Sequence, residues 1–166
     1  MNFNFQESLA KGQESASLVM KNQSEVEDVY NELTKALTEH LGFEVHLYDR
    51  KEYKGVDSQN SLLALGAVIN AWATPERVAT GYNILSLGID VSGIPNVDIF
   101  KYKESDDVYP ITVLFNRDKV ICYNQDEFAT AINKALENSR LNLELIDFKH
   151  RVDEHLKSAS ESDEID

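Results

Sequence analysis

One cysteine, four histidines and a large excess of carboxylates are the side chains here able to do chemistry. Cys122 is a nucleophile only where a neighbouring base or cation lowers its pKa. It stands inside the apolar run Val120-Ile121-Cys122-Tyr123, the setting of a small core residue. A single cysteine forms neither an intramolecular disulfide nor a cysteine metal cluster. His40, His46, His150 and His155 include no pair at the i, i+4 spacing of a helical zinc site. Asp147, His150 and Glu154 share one helical face, but Lys149 and Arg151 stand among them, and a solvated, salt-bridged face is the simpler reading. Glu52-x-Lys54 after a strand forms half of a metal-dependent nuclease pattern, with no upstream acid to complete the carboxylate pair. Asp90 and Asp98 flank a turn and are a second candidate carboxylate pair. The seven glycines are scattered, so no phosphate-cradling loop is present, and no Gly-x-Ser-x-Gly elbow occurs.

The pattern that remains is acidic. Glu25, Asp28, Glu32 and Glu39 fall at helical spacing, with Lys35 among them. Such a row ordinarily forms a solvated face; the sharper reading is a contact stripe. With 29 acidic against 16 basic residues the net charge is −13, which opposes duplex phosphates and anionic membrane surfaces. It suits a basic partner, and it also keeps a protein soluble.

The elements that would position these residues follow from periodicity. Residues 109–140 read as strand, turn, strand and helix. Ile111, Val113 and Phe115 alternate with Thr112, Leu114 and Asn116, the period of a half-buried strand. Asn116-Arg117-Asp118-Lys119 reverses the chain, and Val120 to Tyr123 return it. Asn124 with Glu127 is a capping box, and Phe128, Ala131, Ile132, Ala135 and Leu136 form one apolar stripe.

Upstream, the pattern predicts a helix over 6–21, a break at Asn22-Gln23-Ser24, and a second helix capped by Ser24 and stopped by Gly42. Strands are expected over 43–48, 85–91 and 97–103. The last carries Lys101 and Lys103, which would guard a sheet edge. Asp49 to Lys54 reads as charged connection and 55–61 as loop. Residues 62–73 are apolar almost throughout; length and Leu/Ala content favour a buried helix, with a buried strand as the alternative. Thr74-Pro75-Glu76 starts a short helical turn that Gly81 ends. Residues 140–146 alternate as a strand would, but the stripe Leu141, Leu145, Phe148, Val152 and Leu156 extends further and predicts a terminal helix over 140–157.

The sum is an α+β fold: a mainly antiparallel sheet of about four to five strands with flanking N-terminal and C-terminal helices. It occupies one domain over 1–157, with an acidic flexible tail over 158–166. No repeat or linker divides it. The N-terminus lacks the basic and apolar regions of a secretory signal, and no apolar run reaches the ~20 residues of a spanning helix, so the expected setting is cytoplasmic.

No cofactor is expected. The functional expectation is an acidic protein-binding module of the inhibitor, immunity, antitoxin or anti-defence kind, docking on the basic surface or groove of a partner protein. Its contact residues are Glu25, Asp28, Glu32 and Glu39, and neither nucleic acid nor membrane is bound directly. The alternatives are an enzyme whose site is assembled from separate loops, a metal-dependent nuclease among them, and a structural subunit marked by an unpaired strand edge or by Trp72.

Overall fold

Asn4 starts the first helix: its side chain accepts from the Glu7 amide and donates back to the Glu7 carboxylate at 2.7 Å. The computed structural model describes residues 4–54 and 77–163. From that cap the chain forms one helix, α1, Phe5–Leu41, of 37 residues, about 56 Å long at the α-helical rise. Gly42 ends it in the left-handed conformation at φ +84°, its amide bonded to the Thr38 carbonyl at 2.9 Å. The glycine stop is therefore where the sequence places it, but the break at 22–24 does not occur. Asn, Gln and Ser disfavour helix interiors by offering the backbone alternative hydrogen bonds. Here the Asn22 amide is used elsewhere, donating to the Asp107 carbonyl at 2.9 Å. With that competitor removed, nothing interrupts the ladder.

The sheet follows: β1 His46–Tyr53, β2 Ala79–Gly88, β3 Val97–Ser105, β4 Val108–Phe115 and β5 Asp118–Cys122, all antiparallel and in sequential order. The expected fold class is the observed one. Several placements differ from expectation. Residues 49–53, read as connection, lie in β1. β3, read as an edge strand, is the centre of the sheet. Its lysines belong to the uncovered face rather than to an edge, because one-sided burial leaves every second residue of a central strand in solvent. The helical turn expected to end at Gly81 is also absent at its described end, because residues 79–81 open β2. Gly81 takes φ +85° where the β1 register slips between Lys51 and Tyr53. A bulge there needs a residue without the Cβ penalty of positive φ. Residues 62–73, Trp72 included, and the cap at 74–76 lie outside the described residues.

Two helices close the fold. α2, Gln125–Leu136, begins on the predicted N-cap: Asn124 Oδ1 accepts the Glu127 amide at 3.0 Å, while Glu127 accepts from the Tyr123 amide at 2.8 Å, one residue before the partner a capping box would use. α3, Ser139–Asp163, takes the helical alternative for 140–146 and continues through much of the stretch read as tail.

All three helices contribute to one core on one side of the sheet. Val26, Leu33, Leu37 and Leu41 of α1 meet Phe128, Ala131, Ile132 and Ala135 of α2 and Leu141, Leu145, Phe148 and Val152 of α3 over the inward Leu85, Leu87, Phe100, Tyr102, Ile111 and Val113. Burial of α1 begins near Val19; before that point its side chains are exposed, with Leu9 at 70%. About 21 Å of helix therefore projects past the sheet.

Candidate functional site

Two surfaces carry most of the residues singled out for function: the outer side of α1 and the uncovered face of the sheet. On α1 the four residues of the acidic row do not behave alike. Glu25 is half-buried, 3.4 Å from Lys21, and its carbonyl accepts the Gln125 side chain at 3.1 Å. Asp28, Glu32 and Glu39 are exposed and make no ion pair among the described residues. Lys35 shares the row but lies within ion-pair reach of none of them. The row is thus a strip of three uncompensated carboxylates with a fourth, neutralised one at its end.

The sheet face is built differently. β3 carries one extra residue, Ile99, where Leu85 pairs with Phe100 and Ser86 with Asp98. Ordinary alternation would put Asp98 and Lys101 on opposite faces. The bulge restores them to the same face, so both reach β1 partners across β2. Arg50 pairs with Asp98 at 2.6 Å, and the buried Ser86 hydroxyl donates to the other oxygen of that carboxylate at 2.7 Å. Lys101 binds Glu52, which also accepts from the Thr80 hydroxyl at 2.7 Å. At the far end Tyr48 donates to Asp90 at 2.8 Å, with His46 3.4 Å from the same carboxylate. The first two are cross-strand triads; the third joins two β1 residues to Asp90 in the loop after β2, and each has its own carboxylate and donors.

Their chemistry follows from the pairing. The Lys101 and Thr80 hydrogen bonds hold the Glu52 carboxyl below its usual range, so it stays ionised and is a poor proton donor. Asp98 is committed to Arg50 and Ser86, Asp90 to Tyr48 and His46; they do not form the carboxylate pair the turn suggested. The cation of Glu52 is Lys101, 49 residues away, rather than Lys54. Asp147 pairs with Arg151 at 3.2 Å along α3. Among the described residues no group of three or more His, Cys, Asp or Glu side chains is placed to hold a metal ion. An open cleft of about 610 Å³ joins the sheet face to the β4–β5 turn and the start of α3. It is walled by Lys101, Arg117 and Arg140 against Asp98, Asp118 and Glu144. With three charges of each sign, it has no net field to concentrate an ionic ligand.

Cys122 is fully buried, and burial with the nearby Glu127 charge pushes its thiol from 9.0 to about 11. At pH 8 its thiolate fraction falls about a hundredfold from that of an unshifted thiol. Native protein should therefore react with a disulfide reagent at least a hundred times more slowly than urea-unfolded protein; equal rates would show the thiol to be reachable. Burial also raises the Tyr102 and Tyr109 hydroxyls to about 12, with the Asp49 and Glu25 charges respectively adding to it. Burial raises the Glu104 carboxyl, and the Asp49 charge adds to that. These groups are more neutral, not more reactive.

The periodic acidic row was visible in the sequence. The triads were not, because their members lie on different strands and, for Asp90, in the loop after β2, and are brought together only by register; the only local hint was the density of polar residues through 48–52 and 98–103. No helix among the described residues is long and apolar enough to cross a membrane. Compared with protein-family models, with curated proteins and with solved structures, the chain matches none of them.

Proposed function

We propose that this protein is a binding module that docks on a basic surface or groove of a partner protein through the outer face of α1. An inhibitor, immunity protein, antitoxin or anti-defence protein acting in the cytoplasm would fit this mode of action. One contrast carries the reading. The sheet-face carboxylates Glu52, Asp90 and Asp98 are each matched to a donor inside the molecule, whereas Asp28, Glu32 and Glu39 are exposed and unmatched. Unmatched charge on one rigid helix speeds encounter with an oppositely charged surface and makes it salt-dependent. The excess of carboxylates across the chain has the same sign.

Exposed Leu9 and Leu18 on the projecting part of α1, with exposed Met20 just beyond it, favour a second reading, a subunit held permanently in a larger assembly. Salt separates the two, since apolar contacts do not weaken as ionic strength rises.

The test is capture from the native cell, identification by mass spectrometry, and association kinetics with the purified partner. Joint replacement of Glu25, Asp28, Glu32 and Glu39 by Lys should lower the on-rate roughly tenfold at low salt, the low end of steering effects. An on-rate unchanged by the replacement and by salt would remove the acidic face from the mechanism.

A further inference from the structure

The outer edge of β5 has a property that the acidic face does not share: backbone groups without a partner among the described residues. The β4–β5 hairpin has a two-residue loop, Asn116-Arg117, closed by the pair Phe115 and Asp118. In such a hairpin the closing residues exchange both backbone hydrogen bonds, and bonded and non-bonded pairs alternate from there. Val120 and Cys122 therefore bond to β4, while the amides and carbonyls of Lys119 and Ile121 point away from it. The next outward amide, Tyr123, confirms the phase: it bonds to Glu127 rather than to β4. No other backbone partner for Lys119 or Ile121 appears among the described residues.

The two sheet edges are not equivalent. β1 presents Asp49, Arg50, Lys51 and Glu52 in succession, the charge pattern that blunts an edge. β5 presents Val120, Ile121, Cys122 and then Tyr123, with Ile121 at 45% and Tyr123 at 65% exposure. Beside β5 a groove of about 280 Å³ runs against α2, with Val120, Ile121 and Ala131 as its apolar part. Its charges are ordered. Asp126 and Glu127 stand at the start of α2, Lys134 two turns later near its end.

We infer that this groove takes an extended segment of a partner protein, added to β5 as a sixth strand. Outward amides and carbonyls at alternate residues are met together only by another extended chain. The ordered walls suit a segment with a basic residue at one end, an acidic residue or carboxylate at the other, and apolar residues between. A second copy of this chain fits less well, since it would bring another charge of −13 to a wall that opens with Asp126 and Glu127. The site stands apart from the α1 face, and charge reversal there leaves it intact.

Selection of random linear decapeptides against the full chain, followed by synthesis of the selected sequences, supplies the ligand. Bound peptide should slow amide exchange at Lys119 and Ile121 at least tenfold. Ile121→Pro removes an outward amide without touching the β4 ladder, which edge strands tolerate, and should weaken binding about tenfold with the melting temperature kept. Thr130→Trp fills the groove from α2 and should act alike; it decides the matter where the proline variant does not fold. The inference is overturned if selection yields no binder, if affinity survives the variants, or if protection maps elsewhere. A dimer of this chain that Ile121→Pro dissolves would also overturn it, assigning the edge to a second copy.

Discussion

Phe128→Ala should lower the unfolding free energy by about 3–5 kcal/mol, the cost of emptying a large aromatic site. Phe128 has no exposed surface. Its ring lies 5.8 Å from that of Tyr30 on α1 and 6.4 Å from that of Phe100 on β3, both edge-on at 77° and 89°. Each such aromatic contact contributes about 0.5–1.5 kcal/mol beyond area burial. One side chain thus ties α2 to α1 and to the central strand, and its ring neighbours belong to two other elements that cannot both collapse into the void. Domains of this kind are held by only about 5–15 kcal/mol in total, so the variant should be partly unfolded near physiological temperature. Urea unfolding with a conserved slope measures it. A loss under about 1 kcal/mol would mean that α2 does not seat where the structure places it.

The second large effect separates the two parts of α1. Leu33→Ala should cost about 2–5 kcal/mol, because Leu33 is 5% exposed within the core and its truncation leaves a cavity. Leu9→Ala, on the same helix at 70% exposure, should stay within about 0.5 kcal/mol of wild type. The contrast matters for function as well as for stability. A projecting helix that contributes nothing to the fold is surface held out for another purpose, whereas a packed one is scaffold. Equal and large losses in the two variants, read from urea midpoints at constant slope, would show the projecting part to be packed.

The local patterns fared according to how much of their cause was local. The hairpin and α2 were legible because strand alternation, a cluster of turn formers and a side-chain N-cap each act within a few residues, although the turn is the two residues Asn116-Arg117 rather than the four expected. The Gly42 stop was legible for the same reason. The break at 22–24 misled because a polar triplet weakens a helix only while its side chains compete for the local backbone. Asn22 instead bonds to Asp107, 85 residues away, a distance at which no window over the sequence operates. Lys101 and Lys103 misled because a charged alternate marks an exposed face, and only strand order says whether that face belongs to an edge. The acidic row was legible as spacing. Whether its carboxylates were matched depended on what surrounded them.

By itself the sequence determined the α+β class, the apolar stripes of its helices, the alternation of its strands and the sign of its charge. These rest on short-range periodicity and on composition. Tertiary structure alone decided that α1 is one helix, that β3 is central, and that Asp98 and Lys101 share a face. It alone left Asp28, Glu32 and Glu39 without ion-pair partners among the described residues while Glu52, Asp90 and Asp98 acquired theirs. The reason is register: a single extra residue, Ile99, inverts which side chains face solvent beyond it, and that choice is set by burial summed over the whole sheet.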